Sequence, residues 1–189
     1  MIPVFVLVFF LDALPFHYGI AAIIFAIAAC TDFIDGKIAR ARGLVTNLGK
    51  FLDPIADKVL VATATILLMT MKDTLFVLLN DAQEIVYLLT AVSICIILAR
   101  ELIISAFRQI AATNGIVMAA EKLGKYKTAV QDVSIFVLIF AADIPSFAGE
   151  FAGTVVAWVG FALFAVATVL TVWSGIAYVV KHKEVISEK

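Results

Sequence analysis

Charged residues are scarce in this sequence, and their scarcity excludes an ordinary soluble protein. Asp, Glu, Lys and Arg supply only 15% of the 189 residues, whereas hydrophobic residues supply 63%. Soluble domains contain roughly 45–50% apolar residues, and they need a charged surface that this chain does not provide. A lipid bilayer removes that need because a helix that spans it is predominantly apolar. The composition therefore predicts an integral membrane protein, and the length suits a single domain over residues 1–189.

Cysteine and histidine are also scarce, and the net charge is small. The chain has two cysteines, Cys30 and Cys95, and two histidines, His17 and His182, none of them at metal-site spacing. We therefore expect neither a disulfide framework nor a zinc site. The net charge of −1 provides no overall basic field to attract nucleic acid, so we expect no nucleic-acid partner.

Long apolar runs are abundant instead. A helix needs about 20 apolar residues to cross the hydrocarbon core of a bilayer. Five stretches approach or meet that length, and we interpret a shorter sixth, at residues 1–11, as part of a first helix. No alternation with a period of two persists, which disfavours strands. The sequence predicts an all-α polytopic membrane protein with six transmembrane helices, the first truncated, at residues 1–11, 18–38, 54–71, 85–107, 128–142 and 152–180.

Basic residues are divided unequally between the two predicted sides of the membrane. With six spans, thirteen Lys and Arg residues fall on the side of the 37–50 loop, the 108–127 loop and the C-terminus, and only Lys72 falls on the other side. Cytoplasmic segments next to membrane spans carry an excess of Lys and Arg. We therefore expect the basic side to face the cytoplasm.

Four aspartates stand where the second and third spans meet that side. Asp32 and Asp35 are three residues apart, and Asp53 and Asp57 are four apart. Both spacings place two side chains on one face of a helix, and the short connection makes the two helices neighbours. Four carboxylates at a membrane boundary are costly without cations, and Mg²⁺ or Mn²⁺ prefers oxygen ligands. The pattern predicts a site for divalent cations, and a pair of them is a familiar arrangement for substitution at phosphorus.

Small residues and an arginine accompany the aspartates. Gly36 and Gly49 remove side chains where a ligand could approach the backbone, and Arg40 can hold a phosphate by two parallel hydrogen bonds. A solvated loop with scattered acids is the alternative interpretation. It is disfavoured because the acids stand at helix spacings between apolar flanks.

The fixed distances among these residues resemble a family signature. The chain has every position of the CDP-alcohol phosphatidyltransferase signature, in the string Asp32-x2-Asp35-Gly36-x2-Ala39-Arg40-x8-Gly49-x3-Asp53-x3-Asp57. The resemblance implies an enzyme in which an alcohol attacks the lipid-side phosphorus of a CDP-linked lipid, normally CDP-diacylglycerol, and CMP leaves. It implies that the four aspartates ligate two metal ions, that Asp57 is also the general base, and that the protein is a homodimer. The CDP-lipid would be bound by Asp32, Gly36, Ala39, Arg40 and Gly49.

A second basic group suggests the kind of alcohol. Arg100 and Arg108 are about two helical turns apart, and Lys125 and Lys127 stand at the entry to the fifth span. Charges beside apolar helices are costly unless they reach the interface or bind a ligand. Anchoring to anionic headgroups is one explanation. These residues carry more positive charge than is needed to orient the protein in the membrane. We therefore expect the four to bind the phosphate of an anionic acceptor.

Local strings narrow the resemblance within the family. Residues 51–58, 99–102 and 123–128 are similar to those of bacterial phosphatidylglycerophosphate synthases. This likeness implies sn-glycerol 3-phosphate as the acceptor, phosphatidylglycerophosphate as the product, and a location in the plasma membrane of a bacterium. The amphipathic segment and Asn-Leu-Pro-Asn-like stretch that precede the first span in those enzymes have no counterpart in this sequence.

Three other functions compete with this one. A cardiolipin synthase of the same family would use phosphatidylglycerol, whose phosphate makes similar demands on the basic group. An intramembrane prenyltransferase also pairs aspartates with Mg²⁺, but the spacing of Gly36, Ala39, Arg40 and Gly49 and the small number of spans disfavour it. A membrane cation transporter would place its ionisable groups near the bilayer midplane, whereas these aspartates stand at the cytoplasmic edge.

Small residues also recur at the start of the last span. Gly149, Gly153 and Ala157 are four residues apart, a spacing that allows helices to approach closely. They predict either a packing seam within one chain or part of a dimer contact.

Overall fold

The structure is a computed structural model that describes residues 1–41, 47–113 and 122–181. Within these ranges, the side chains of residues 32, 33, 35–41, 47–57, 110, 112, 113, 122 and 123 lie outside the description. All regular elements in the described ranges are helical, with no strand. The α-helices are α1 Ile2–Phe9, α2 His17–Ala41, α3 Asn47–Leu68, α4 Gln83–Thr113, α5 Lys122–Ala141, α6 Pro145–Ala148 and α7 Glu150–Lys181, with 3₁₀ helices at Met69–Met71 and Phe76–Ala82.

The predicted apolar segments coincide with these helices. The breaks also fall where the sequence placed them: α2 begins at His17 after Pro15, the 3₁₀ turn after α3 ends at Met71, and α5 ends at Ala141. Proline removes a backbone donor, and short polar side chains compete for backbone hydrogen bonds, so both favour helix ends. The helical prediction is confirmed, and α2, α3, α4 and α5 extend three to seven residues beyond the apolar runs at one end, whereas α1 is shorter than its run.

Two helical segments, Phe76–Gln109 and Glu150–Lys181, are long and apolar enough to cross a membrane. His17–Thr31 and Lys58–Met71 are shorter apolar helices. Large apolar side chains cover much of the outer surface, and Phe151 is 84% exposed to solvent. A surface of this kind would be a liability in water and is suited to lipid. The structure therefore supports a helical membrane protein.

Helix α5 lies in the middle of the bundle, where it packs along α7 and also contacts α2 and α3. Glycine permits the close approach to α7, since a Cβ at Gly160 would lie 2.7 Å from Leu138 Cδ2. A Cβ at Gly153 would lie 2.7 Å from Pro145 Cγ, and Ala157 is fully buried. Gly153 and Ala157 therefore pack within one chain, as one of the two predictions for this stretch proposed.

Long-range contacts fix which helix ends lie together. Asp143, just after α5, accepts a hydrogen bond of 2.6 Å from the backbone N–H of Gly19 near the start of α2. Since α2 and α5 also pack against each other, they run antiparallel, and the end of α2 lies beside the start of α5. Lys58 of α3 donates a hydrogen bond to Ser105 near the end of α4. The end of α2 and the start of α3, which carry the signature aspartates, thus share one end of the bundle with the end of α4 and the start of α5.

Candidate functional site

The four signature aspartates belong to two helices that contact each other. Asp32 and Asp35 lie in the second half of α2, and Asp53 and Asp57 lie in the first half of α3. The helical spacing assumed for each pair therefore agrees with the backbone. Their side chains lie outside the described residues, so their metal ligation stays a prediction.

The residues predicted to bind the CDP-lipid follow the same distribution. Gly36, Ala39 and Arg40 lie in the last turns of α2, and Gly49 lies in the first turn of α3. The side-chain surroundings of these residues also lie outside the description. Among the described residues, no group of three or more His, Cys, Asp or Glu side chains could hold a metal, so that part of the chain offers no competing metal site.

Glu101 is the centre of a buried polar cluster at the same end of the bundle. Its Oε1 accepts hydrogen bonds from Lys127 Nζ at 2.6 Å and from Arg100 Nη1 at 3.1 Å. Arg100 Nη2 donates to Ser174 Oγ at 3.1 Å. We call Arg100, Glu101, Lys127 and Ser174 the Glu101 cluster. It joins α4, α5 and α7, and its two cations and one anion leave one net positive charge.

Packing around the Glu101 cluster removes its side chains from solvent. The Lys127 side chain is only 4% exposed and the Arg100 side chain 16%. Gly175 lies against the arginine stem, where a Cβ would come within 3.1 Å of Arg100 Cγ. The Nε of Arg100 is buried and has no hydrogen-bond partner among the described residues. The cluster therefore holds a donor that its protein neighbours do not use.

The other two predicted acceptor residues lie elsewhere. Arg108 Nε donates to the Tyr178 hydroxyl at 3.3 Å, and its guanidinium lies 5.5 Å from the centre of that ring. Lys125 is exposed near the start of α5. The structure thus brings Arg100 and Lys127 together through Glu101, and it does not bring Arg108 or Lys125 into that cluster.

Three residues at this end of the bundle were not predicted from the sequence: Ser174, Tyr178 and Gln131. Ser174 and Tyr178 lie four residues apart in the last turns of α7, where each receives an arginine from α4. Gln131 is 1% exposed in α5, and among the described residues neither its amide nitrogen nor its amide oxygen has a hydrogen-bond partner. The available signal was the four-residue spacing of Lys127 and Gln131 inside an apolar span, which places two polar side chains on one helix face.

A match to a known family defines the class of the protein. Residues 1–173 match the family described as CDP-alcohol phosphatidyltransferase, and the chain belongs to that family. The family resemblance drawn from the signature aspartates is thereby confirmed.

Similar proteins include enzymes named "CDP-diacylglycerol--glycerol-3-phosphate 3-phosphatidyltransferase". Those of Shigella flexneri serotype 5b and Salmonella typhimurium are 40% identical to this chain. The enzyme of Escherichia coli strain K12 is 39% identical. Each alignment covers 94% of this chain and 86% of the relative, so the similarity extends over nearly the whole length of both.

Proposed function

We propose that this protein transfers the phosphatidyl group from CDP-diacylglycerol to sn-glycerol 3-phosphate, giving phosphatidylglycerophosphate and CMP. The observation that carries the proposal is 40% identity, over 94% of the chain, to enzymes named for this reaction. The buried, net positive Glu101 cluster supports an acceptor that bears a phosphate. An uncharged alcohol would leave that positive charge without a counter-charge in a low-dielectric region.

Asp32, Asp35, Asp53 and Asp57 hold two divalent cations, Mg²⁺ or Mn²⁺, in this proposal. The donor set fits such ions, since four carboxylates on two contacting helices present only oxygen ligands. Bound cations neutralise the diphosphate and stabilise the oxygen that leaves.

In this proposal, side chains of the protein carry out the remaining steps of the reaction. Asp57 accepts the proton of the acceptor hydroxyl while the hydroxyl oxygen attacks the lipid-side phosphorus. A phosphorus–oxygen bond forms to the acceptor, and the bond from that phosphorus to the bridging oxygen breaks, so the electron pair leaves with CMP. Asp32, Gly36, Ala39, Arg40 and Gly49 hold the CDP portion so that the scissile bond is in line with the attacking oxygen.

Arg100 and Lys127 bind the acceptor phosphate. Each has donors left after its bond to Glu101: an ammonium has three N–H bonds and a guanidinium has five. Lys127 is buried and Arg100 is largely shielded from solvent, so hydrogen bonds to a phosphate are charge-assisted in a low dielectric. Arg108 and Lys125 are exposed and contribute to attracting the anion, an effect that weakens with added salt.

In this proposal the chain has six membrane-spanning helices, and the site faces the cytoplasmic side of the bacterial plasma membrane. Thirteen basic residues on one side and one on the other support this orientation. A chain without Cys30 and Cys95 allows a labelling test with single cysteines at Asp73 and Tyr126, which are exposed. A membrane-impermeant maleimide should label Asp73→Cys in intact cells and Tyr126→Cys only after permeabilisation. The reverse pattern would overturn the orientation.

The proposal also includes a single transmembrane domain over residues 1–189 that works as a homodimer. Family likeness is the support for the dimer. Size-exclusion chromatography with light scattering in detergent, corrected for bound detergent, should give twice the 20.4 kDa chain mass. A monomer mass in catalytically active fractions would remove the dimer from the proposal.

An acceptor panel tests the proposed reaction. Purified protein with CDP-diacylglycerol and Mg²⁺ or Mn²⁺ should release CMP when glycerol 3-phosphate is added. Phosphatidylglycerol and inositol phosphate should give little CMP. Equal turnover with phosphatidylglycerol would favour a cardiolipin synthase, and no CMP release with any of these alcohols would contradict the proposed reaction.

The role of Asp57 has a separate test. Asp57→Asn should lose CMP release while the protein still binds CDP-diacylglycerol, because an amide cannot take up the hydroxyl proton. Asp73→Asn is the matched control, since this aspartate is exposed at the opposite end of the bundle, and it should keep full turnover. Normal turnover by Asp57→Asn would exclude it as the general base.

A further inference from the structure

Gln131 has a buried side-chain amide in α5. Its residue is 1% exposed, and both Nε2 and Oε1 lack a partner among the described residues. Native proteins pair nearly all of their buried polar side-chain atoms, so an exception needs a physical reason. A ligand that supplies both a donor and an acceptor would be such a reason.

The position of Gln131 relates it to the Glu101 cluster. It lies four residues after Lys127 in α5, which is about one turn, or roughly 6 Å along the helix axis, on the same face. Ser134 is also buried in α5, but its hydroxyl donates to the main-chain carbonyl oxygen of Gln131 at 2.7 Å. The Ser134 hydroxyl is therefore satisfied within its own helix. The buried face of α5 thus presents a cation and, one turn deeper, an amide that its protein neighbours leave unpaired.

An amide next to a phosphate-binding cation matches the chemistry of a small alcohol phosphate. Glycerol 3-phosphate has a phosphate, one hydroxyl that reacts and a central hydroxyl that does not. A hydroxyl both donates and accepts, as an amide does. The phosphate and the central hydroxyl are separated by a two-carbon unit, a distance similar to one helical turn.

We infer that Gln131 binds the central, unreacting hydroxyl of glycerol 3-phosphate and so determines which alcohol phosphates the site accepts. This inference rests on the proposed function and extends it from the phosphate to the carbon chain of the acceptor. The side chain of Gln131 touches substrate without taking part in proton transfer.

The test compares two acceptors in the full-length protein. Glycerol 3-phosphate and 3-hydroxypropyl phosphate differ only in the central hydroxyl. The wild type should prefer glycerol 3-phosphate by about tenfold in kcat/KM, the usual effect of one or two lost hydrogen bonds. Gln131→Met, an apolar variant of similar volume, should use the two acceptors equally, with an unchanged KM for CDP-diacylglycerol. Ser134→Ala is the matched control and should keep the wild-type preference.

Thermal stability separates a binding role from a structural one. If Gln131 has no protein partner, Gln131→Met should melt at the same temperature as the wild type or higher, since it removes an unpaired buried amide. A preserved preference for glycerol 3-phosphate in Gln131→Met would overturn the inference, and so would equal use of both acceptors by the wild type. Gln131→Leu provides the same comparison should the methionine variant fail to fold.

Failure of the proposed function has a different result. In that case the wild type releases no CMP with glycerol 3-phosphate, and the inference falls with the proposal. If the wild type is active but Gln131→Met retains its discrimination, only the inference fails.

Discussion

Replacing Glu101 by glutamine is the most direct test of the Glu101 cluster. The substitution keeps the shape of the side chain and one carbonyl oxygen, but it removes the negative charge that both Lys127 and Arg100 contact. Lys127 and the largely shielded Arg100 then face each other across α4 and α5 without the carboxylate that joined them. We expect the substitution mainly to lower the stability of the helix packing at this end of the bundle.

The magnitude follows from the burial of the pair. The Glu101 side chain is 25% exposed and the Lys127 side chain 4%, so solvent compensates little for a lost partner. Removing one member of a buried ion pair costs about 3–5 kcal/mol. Because glutamine retains an acceptor for one cation, we expect about 2–4 kcal/mol. For a chain of this size each kcal/mol shifts Tm by about 2–4 °C, which predicts a decrease of roughly 4–16 °C.

The assay is thermal unfolding in detergent, monitored by loss of the monodisperse chromatographic peak. Glu84→Gln is the matched control on the same helix, since Glu84 pairs with Lys72 at 3.0 Å but is 75% exposed. An exposed pair contributes little, so Glu84→Gln should shift Tm by less than about 2 °C. A double-mutant cycle with Lys127→Met measures the coupling, and Glu101→Gln/Lys127→Met should be less destabilised than the sum of the single variants.

Two results would refute this reasoning. If Glu101→Gln melts within about 2 °C of the wild type, as expected of an exposed pair, then the cluster is not stabilised by its central charge. If the two single effects simply add in the double variant, then Glu101 and Lys127 act independently despite their 2.6 Å contact.

Further predictions concern packing, capping and metal. Gly160→Ala should lower Tm by several degrees because its Cβ would lie 2.7 Å from Leu138 Cδ2, whereas Gly124→Ala, with open space around its Cβ, should leave Tm unchanged or raise it. Asp143→Asn should lower Tm by about 2–4 °C, since it weakens the 2.6 Å bond to the Gly19 N–H by about 1 kcal/mol. EDTA should abolish CMP release, and added Mg²⁺ or Mn²⁺ should restore it; undiminished release in EDTA would contradict the metal proposal.

The helices of this protein could be predicted because their signals are local. Apolar runs separated by Pro15, by Lys72 and Asp73, and by Pro145 determine where helices begin and end. The helical extension of α2 through its charged residues to Ala41 was harder to predict. These turns contain Lys37 and Arg40, and hydropathy alone does not indicate a helix through charged residues.

The acceptor residues show where sequence spacing was too coarse. The spacing of Arg100 and Arg108, about two helical turns, predicts that both bind one acceptor phosphate. Both arginines face α7, where Arg100 donates to Ser174 and Arg108 donates to Tyr178. Eight residues separate them by about 12 Å along the helix axis, and only Arg100 contacts Glu101. The pairing of Lys127 with Glu101 joins residues on different helices, and no local pattern specifies it.

The hydrogen bond between Asp143 and Gly19 has a consequence for the order in which the protein is assembled during synthesis. The two residues are 124 positions apart, so the start of α2 has no Asp143 to accept its N–H until the fifth helix has left the ribosome. At about 5–20 residues per second, that interval is roughly 6–25 s. Throughout it, the newly inserted α2 must rely on water, lipid headgroups or the insertion machinery at its N-terminus, and the arrival of α5 completes the connection.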